Sequence, residues 1–311
     1  MKETMNAIST IGNTPLIQLS KIVPPDSANV YIKLEYFNPT GSYKDRMALA
    51  MIEGAENRGI LKPGMTVVEY TGGSTGSSLA FICSVKGYAF HVISSNAFSN
   101  EKLDTMKAFG AKLEIIESQS GKIDSNLIKK MIERANQLSK KPDYFFTDQL
   151  NNKDIINGFE VMGNEIQNQS KFTINAFCAG IGTAGALMGV SNILLKSHNN
   201  TKVVALEPET AAYYSKGINN GKHRVEGIGL GFHLPLLNKN NYHESRGIDE
   251  KEAIKMARKL ARDEGIFGGA STGLNVVGAM QLAKELGKGK NVITLACDTG
   301  LKYLNGDLYK G

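Results

Sequence analysis

The sequence predicts an α/β protein with two domains, each a three-layer structure in which helices cover both faces of a mostly parallel sheet. Strand-like apolar runs alternate with helical patterns, and this alternation is typical of parallel sheets. It occurs in two sets, one before and one after the polar stretch 151–154. The length of 311 residues is enough to bury two cores.

The first set of elements begins with a predicted strand at 30–35. The strands that follow are predicted at 66–70, 90–94, 112–116 and 144–146, and the helices between them at 74–86, 99–109 and 123–139. Ser99 is a candidate N-cap and Gly110 a candidate C′ residue for the middle helix. The four strands from 66 to 146, alternating with these helices, predict the first sheet.

The second set begins with a predicted helix at 154–167. Its strands are predicted at 174–178, 203–206 and 292–296, and its other helices at 183–196, 250–264 and 271–286. Asp249 and Glu252 form a capping-box pattern before the helix at 250–264, which Gly265 can end. The Gly- and Asn-rich stretch 217–242 predicts a long loop, and loops of this length are usually functional.

Composition and charge argue against several classes of protein. No apolar run is long enough to span a membrane, and the first residues lack the apolar core of a signal peptide, so we expect a cytoplasmic protein. The net charge of +6 is spread along the chain, which does not favour a nucleic-acid partner. Cys83, Cys178 and Cys297 are odd in number and far apart, so we expect buried thiols and assign no metal.

A lysine stands at the predicted start of a helix, directly after an Asn-Pro turn. Residues 38–46 read Asn-Pro-Thr-Gly-Ser-Tyr-Lys-Asp-Arg, in which Gly41 belongs to the turn and Ser42 can cap the helix. The positive end of the helix dipole favours the uncharged amine at Lys44, which suits an amine that attacks a carbonyl. From these residues alone, a solvent-exposed lysine in a first helical turn fits equally well.

Three glycine-rich turns, at 71–76, 180–186 and 268–273, each follow a predicted strand and open a predicted helix. Backbone N–H groups and the helix dipole attract anions at such positions. In the second turn the glycines also fit the GxGxxG pattern of dinucleotide-binding proteins, with Glu207 as the acid at the end of the next strand. That pattern belongs to the first strand–helix–strand unit of a domain, whereas this turn follows residue 179. A nucleotide-binding α/β module therefore stays an alternative.

Six segments together resemble the cysteine synthase/cystathionine β-synthase family of pyridoxal 5'-phosphate (PLP) enzymes. They are 12–16 (Gly-Asn-Thr-Pro-Leu), 38–46, 71–76 (Thr-Gly-Gly-Ser-Thr-Gly), 182–185 (Gly-Thr-Ala-Gly), 226–229 (Glu-Gly-Ile-Gly) and 269–273 (Gly-Ala-Ser-Thr-Gly). Each segment alone is a weak signal, but they follow the family's order over residues 8 to about 304. The resemblance implies fold type II, with PLP in the cleft between a large domain, 1–44 and 147–311, and a smaller mobile domain, 45–146.

The same resemblance assigns roles to individual residues. Lys44 would carry the cofactor as a Schiff base and remove the Cα proton of the substrate. The implied cofactor-binding residues are Lys44, Ser74, Gly182, Thr183, Ala184, Gly185, Ala186 and Ser271, and the implied substrate-binding residues are Thr71, Gly72, Gly73, Ser74, Thr75, Gln149 and Gly227. Ser271 would face the pyridine nitrogen without holding it protonated, so we expect elimination or replacement at Cβ rather than transamination.

The chain departs from the family pattern at two of these turns. Gly72 stands where serine is usual, and Ser74 stands where asparagine is usual, which leaves the choice of substrate open. In the phosphate turn, Ala184 replaces a glycine and Ala186 replaces a threonine. A hydrogen bond to a charged group is worth about 1.5–3 kcal/mol, and Thr183 and backbone donors remain, so we expect cofactor binding to survive.

The resemblance implies β-replacement on an O-activated serine, with cysteine synthase, which makes cysteine and acetate from O-acetylserine and sulfide, as the first choice. A chain of 311 residues that lacks a haem-binding extension and a C-terminal regulatory pair favours this choice over some cystathionine β-synthases. The alternatives are a cystathionine β-synthase-like enzyme, a cysteine-using enzyme that releases sulfide, and a PLP-binding relative without turnover. A homodimer is implied by the resemblance alone.

Overall fold

The computed structural model describes residues 5–118, 125–197, 200–219 and 221–310. The strands are β1 (Leu16–Gln18), β2 (Asn29–Leu34), β3 (Thr66–Tyr70), β4 (Ala89–Ser94), β5 (Lys112–Ile115), β6 (Tyr144–Phe146), β7 (Ala176–Gly180), β8 (Lys202–Pro208), β9 (Glu244–Ile248) and β10 (Asn291–Ala296). The helices are α1 (Lys44–Asn57), α2 (Ser74–Lys86), α3 (Asn100–Ala108), α4 (Ser125–Ser139), α5 (Asp154–Gln169), α6 (Gly185–Ser197), α7 (Tyr213–Lys216), α8 (Glu250–Lys259) and α9 (Ala270–Leu286). The structure is an α/β fold, as the alternating pattern predicts.

The chain divides into two compact units. The first contains Met1–Ile11 and Lys44–Ile155, and the second contains Gly12–Tyr43 and Ile156–Gly311. The domain bounds expected from the sequence assign residues 1–11, 44 and 147–155 differently. Those bounds, and the mobility of the smaller domain, stay predictions.

The first unit is built on a parallel sheet with the strand order β5-β4-β3-β6. The described core joins this sheet to α4, whose Met131 and Leu138 pack with Val68 of β3 and Ile93 of β4. Parallel strands end at the same edge of a sheet, so the segments that follow β3 and β6 come together there. These segments contain Thr71 to Thr75 and Gln149.

The second unit is built on a mixed sheet with the order β1-β2-β10-β7-β8-β9. Here β1 runs antiparallel to β2, whereas β2, β10, β7, β8 and β9 are mutually parallel. Every residue of β7 and β10 is buried, because the strands lie in the middle of the sheet and α9 packs against both. The ends of these two central strands lead to the 180–186 turn and to Asp298.

Several sequence predictions agree with the structure to the residue. The bounds of β3, β6 and α2 match those predicted. The Asp249 side chain caps α8 by accepting a hydrogen bond from Glu252 N at 3.0 Å. The predicted helix 250–264 consists of α8 and one π-helical turn, after which Gly265 reverses the chain with a φ of 69°.

Ser99 is the N-cap residue of α3, as predicted, although its buried hydroxyl makes no hydrogen bond. Other predictions need correction. The strands β1 and β9 were missed, because both lie at sheet edges where burial is incomplete and the apolar signal is weak. The predicted helix 123–139 begins at Ser125 in the structure, and residues 123–124 lie outside the described residues.

The loop predicted at 217–242 is confirmed over 217–219 and 221–242, where the described backbone is irregular apart from a 3-10 turn at Lys239–Asn241. Residue 220 lies outside the described part. Among the helices in the described residues, none is long and apolar enough to cross a membrane.

Candidate active site

Lys44 is the first residue of α1 and is only 8% exposed. The turn that precedes Lys44 is closed by a hydrogen bond from Gly41 N to Asn38 O at 2.7 Å, and Gly41 has a φ of 70°. Backbone hydrogen bonds from Thr299 N to Gly41 O (2.9 Å) and from Tyr43 N to Cys297 O (3.0 Å) hold the turn in place. The solvent-exposed alternative for Lys44 is therefore wrong.

A buried polar network lies behind this turn and joins it to the 12–16 segment. Asn38 Oδ1 accepts a hydrogen bond from Gly12 N at 2.9 Å, and Asn38 Nδ2 donates to Glu35 Oε2 at 3.0 Å. Thr14 Oγ1 donates to Glu35 Oε1 at 2.6 Å, and Lys33 Nζ donates to Thr14 O at 2.6 Å. Two motifs that are separate in the sequence thus form one hydrogen-bonded structure.

The 71–75 loop follows β3, and its hydroxyls are tied to the loop and to Gln149. Thr71 Oγ1 accepts a hydrogen bond from Gly73 N at 3.2 Å. Thr75 Oγ1 donates to Gln149 Oε1 at 2.9 Å, and Gln149 Nε2 donates to Tyr70 O at 3.1 Å. The first unit therefore brings together predicted substrate residues that are about 75 positions apart in the sequence.

The loop starts at the N-terminus of α2. Ser74 is the first residue of this helix, and Gly73 is its N-cap, with extended backbone angles. A helix start presents backbone N–H groups and a positive dipole end, which suit a carboxylate. The geometry of the loop is therefore compatible with the substrate role expected for it.

Glu69, which none of the sequence motifs contains, anchors this loop at the end of β3. Its buried carboxylate accepts hydrogen bonds from Thr147 Oγ1 (2.6 Å), Gln149 N (3.0 Å) and Tyr70 N (3.0 Å). Burial raises the pKa of Glu69 to about 8. The three hydrogen bonds donated to its carboxyl group lower the pKa, but burial is the larger effect. One feature of the sequence does indicate a role for Glu69, because it is a charged residue inside the apolar strand 66–70.

In the second unit, the 180–186 turn passes from β7 into α6. Ala184 has a φ of 67°, in the left-handed region that glycine normally occupies, and α6 begins at the next residue. A Cβ at Gly182 would lie 2.2 Å from Gly227 O, so this approach admits only glycine. Gly227 and the 182–186 turn, which the sequence assigned to one site, are therefore neighbours.

Ser271 is buried in the first turn of α9. The preceding Gly269 donates its N–H to Asp298 O at 3.2 Å, so Asp298 lies at the start of this helix. Asp298 Oδ2 accepts a hydrogen bond from the Tyr303 hydroxyl at 2.6 Å, and burial together with this carboxylate raises the pKa of Tyr303 well above its ordinary value. The Thr272 hydroxyl is buried and makes no hydrogen bond.

The residues of the 180–186 turn fit a phosphate-bearing group. The turn carries no acidic side chain, its glycines have no side chains that could cover the backbone N–H groups, and the Thr183 hydroxyl stands before the N-terminus of a 13-residue helix. Such a donor set favours a phosphate. The buried Thr272 hydroxyl beside Ser271 supplies a further unused polar group in this unit.

The dinucleotide alternative fails at Glu207. Both of its carboxylate oxygens accept hydrogen bonds from Tyr214 N at 3.1 Å, and one also accepts from Ser215 N at 3.1 Å. Glu207 thus holds the start of α7, whereas the dinucleotide pattern needs a carboxylate that faces a ribose. The preceding strand β7 is also not the first strand of its sheet in chain order.

A lysine buried at a helix start and a glycine turn suited to phosphate, on parallel α/β sheets, define the class of fold type II PLP enzymes. The comparisons agree: the chain belongs to the pyridoxal-phosphate dependent enzyme family, which matches residues 8–298. Its cofactor is PLP. The expected family, fold class and cofactor are thereby confirmed.

Individual relatives cover the whole chain. It is 41% identical to the cysteine synthase of Staphylococcus aureus (strain Mu50 / ATCC 700699), over 99% of this chain and 98% of that protein. The solved structure of cysteine synthase from Entamoeba histolytica has a TM-score of 0.92 and 32% identity, covering 100% of this chain and 93% of that one. A hydrogen sulfide-producing enzyme from Fusobacterium nucleatum has a TM-score of 0.90 and 31% identity, covering 98% and 99%.

Proposed function

We propose that this protein catalyses β-replacement on an O-activated serine and makes cysteine and acetate from O-acetylserine and sulfide. The observation that carries this proposal is the similarity to a cysteine synthase over 99% of the chain. The site residues are compatible with it, because they comprise a buried lysine, a carboxylate loop and a phosphate turn.

The proposed cofactor residues would each bind a different part of PLP. Lys44 would hold the aldehyde carbon covalently, the backbone of the 182–186 turn and the Thr183 hydroxyl would hold the phosphate, and the Ser271 hydroxyl would donate a hydrogen bond to the pyridine nitrogen. Ser74 takes the place of the usual asparagine near the ring hydroxyl. When bound, PLP supplies an electron sink that acidifies the Cα proton of an amino acid.

Once the substrate amine has displaced it from the aldehyde carbon, the free Lys44 amine would take this proton from the substrate Cα. Its position at a helix start favours the uncharged amine, which is the form that accepts a proton. Its low exposure keeps water away from the amine.

The 71–75 loop orients the substrate. Thr71, Thr75 and the N-terminus of α2 bind the α-carboxylate, and Gln149 fixes the Thr75 hydroxyl through the 2.9 Å hydrogen bond. Gly227 lies beside Gly182 and lines the same region of the second unit. Fixing the carboxylate aligns the Cα–H bond with the base, which is an orientation effect.

A second candidate function is release of sulfide from cysteine, which the similarity to the Fusobacterium nucleatum enzyme favours. Gly72 and Ser74 both depart from the usual loop, which keeps serine- or cysteine-using reactions open, including formation of cystathionine.

The experiment that tests the proposal is a side-by-side assay of the PLP-loaded protein with O-acetylserine, O-phosphoserine, serine and cysteine. Each is offered with sulfide and with a thiol, and cysteine, thioether and released sulfide are quantified. The proposal predicts the highest kcat/KM for O-acetylserine with sulfide. A higher kcat/KM for cysteine, with sulfide released, would establish the second candidate instead.

The expected homodimer and cytoplasmic location belong to this proposal, as does a place in amino-acid biosynthesis. The homodimer rests on the family resemblance. Sedimentation analysis of the purified protein should give twice the chain mass of 33.7 kDa.

A further inference from the structure

An aromatic ring packs directly against the substrate loop at Gly72. A Cβ at Gly72 would lie 1.9 Å from Phe98 Cγ, 2.1 Å from Cδ2 and 2.2 Å from Cδ1. Non-bonded carbon atoms need about 3.5–4.0 Å. The Phe98 ring therefore occupies the space that any side chain at position 72 would take.

This steric contact, and not the backbone, is what requires glycine at position 72. The φ of Gly72 is outside the positive region, so its backbone angles admit other residues. The neighbouring Gly73 is in an extended conformation, and a Cβ there would meet no atom within 4 Å. Of two adjacent glycines in one loop, only Gly72 is constrained by a neighbour.

Phe98 is fixed in this position by its own turn. Phe98 N donates to Ser95 O at 3.2 Å, and Ala97 N donates to Ser95 Oγ at 3.3 Å. The ring packs against the core cluster that contains Val68 and Tyr70, while the residue as a whole stays partly exposed. The ring is thus anchored on the core, while part of the residue remains exposed.

The contact changes the chemistry of the loop. The neighbouring side chains of Thr71, Ser74 and Thr75 are all hydroxyls. At position 72 the loop presents apolar carbon instead of a polar side chain. An apolar surface favours a carbon-containing, uncharged group and disfavours an unpaired hydroxyl or a phosphate.

We propose that Phe98 is a specificity-determining residue, which favours an amino acid whose β-substituent is an uncharged O-acyl group over one with a free hydroxyl or a phosphate. This inference rests on the proposed function, since it assumes that the 71–75 loop binds the amino-acid substrate. It adds a residue outside the motifs that distinguishes between β-substituents.

The contact itself is tested by thermal unfolding, without any activity. Gly72→Ala should lower the Tm clearly more than Gly73→Ala, because only the first overlaps a ring. In the double variant Gly72→Ala/Phe98→Ala, the ring is gone and most of the fall in Tm caused by the overlap should disappear. The effects of the two substitutions on Tm should therefore be non-additive. Additive effects would contradict the contact.

Selectivity is tested with Phe98→Ala and a matched control, Phe109→Ala. Phe109 is a partly exposed phenylalanine in the same unit, and its ring packs on Phe81 at 5.6 Å. The Phe98→Ala variant should lower the kcat/KM ratio of O-acetylserine to serine by roughly tenfold, the scale of an apolar-pocket contact. The Phe109→Ala variant should leave this ratio unchanged. Equal ratios in the two variants would overturn the inference.

Binding separates this inference from the proposed function. Affinities of the PLP-loaded protein for O-acetylserine, serine and O-phosphoserine are measured from the change in cofactor absorbance. If the wild type binds these compounds but forms no cysteine, the proposed function fails, while a loss of binding preference in Phe98→Ala still supports the role of Phe98. An unchanged preference, with cysteine synthesis intact, overturns the inference alone.

Discussion

The Glu69 carboxylate accepts a hydrogen bond from the backbone N–H of Gln149 at 3.0 Å, although 80 positions separate the two residues in the chain. The same oxygen accepts from Thr147 Oγ1 at 2.6 Å, and the Gln149 side chain returns a hydrogen bond to Tyr70 O at 3.1 Å. The end of β3 is thus tied to the segment after β6. The position of the proposed substrate loop depends on a buried acid that no motif contains.

Glu69 should make stability depend on pH. Because burial raises its pKa to about 8 from an ordinary 4.5, the folded protein holds this proton more tightly than the unfolded chain. The contribution of Glu69 to the free energy of unfolding therefore falls as pH rises from about 4.5 to about 8, by up to about 1.4 kcal/mol per pH unit. Urea unfolding across this range should show the decline in the wild type and a flatter profile in Glu69→Gln.

Asp104→Asn provides the control for that measurement, since Asp104 is exposed and pairs only with Lys107 among the described ion pairs. Its profile should run parallel to the wild type. Parallel profiles for Glu69→Gln and the wild type would mean that the three donated hydrogen bonds outweigh burial and keep Glu69 ionised.

Removing the Thr75 hydroxyl should impair substrate use while leaving the cofactor in place. Thr75→Val keeps the side-chain shape but loses the 2.9 Å hydrogen bond to Gln149 Oε1. We expect kcat/KM for the amino acid to fall roughly 10- to 100-fold, the value of about one to two hydrogen bonds. Steady-state kinetics and the visible spectrum of the bound cofactor provide the readouts.

Thr105→Val is the matched control, because the Thr105 hydroxyl donates to Glu101 O at 2.7 Å within α3 and not to a residue of the loop. It should retain wild-type kinetics. A kcat/KM for Thr75→Val within twofold of that for Thr105→Val would contradict the role of the loop.

Ala184→Gly should stabilise the protein. The φ of 67° at Ala184 strains a residue with a Cβ, and a left-handed conformation costs about 1–2 kcal/mol for such residues. Part of this gain is offset because glycine loses more backbone entropy on folding, so we expect a net increase of up to about 1 kcal/mol. Denaturant unfolding measures the change.

The same substitution at Ala186, two residues later, should lower the stability of the protein. Ala186 lies inside the first turn of α6, where glycine costs about 0.5–1 kcal/mol relative to alanine. If Ala184→Gly and Ala186→Gly destabilise the protein equally, the strain assigned to Ala184 is absent.

Local patterns in the sequence predicted much of the fold, and the exceptions have physical causes. The helix expected at 183–196 begins at Gly185, because the left-handed Ala184 cannot belong to an α-helix. The strand expected at 174–178 runs from Ala176 to Gly180, since pairing with β10 and β8 sets its register. Neither effect is visible in the apolar pattern alone.

The sequence predicts those candidate site residues whose position depends on their neighbours in the chain. Thr75 and the 182–186 turn stand at helix starts, which the glycines before each helix indicate in the sequence. Glu69 and Phe98 act across long separations, on Gln149 and Gly72 respectively. Contacts of that kind depend on strand order, which a single sequence does not display.

The central claim is that Lys44 holds PLP covalently, and one measurement tests it directly. The PLP-loaded protein is reduced with borohydride, which fixes the cofactor to the amine that holds it, and the digest is analysed by mass spectrometry. We expect a phosphopyridoxyl group on Lys44, and no such label on any lysine in Lys44→Ala. A label on a different lysine of the wild type, or no label at all, would contradict it.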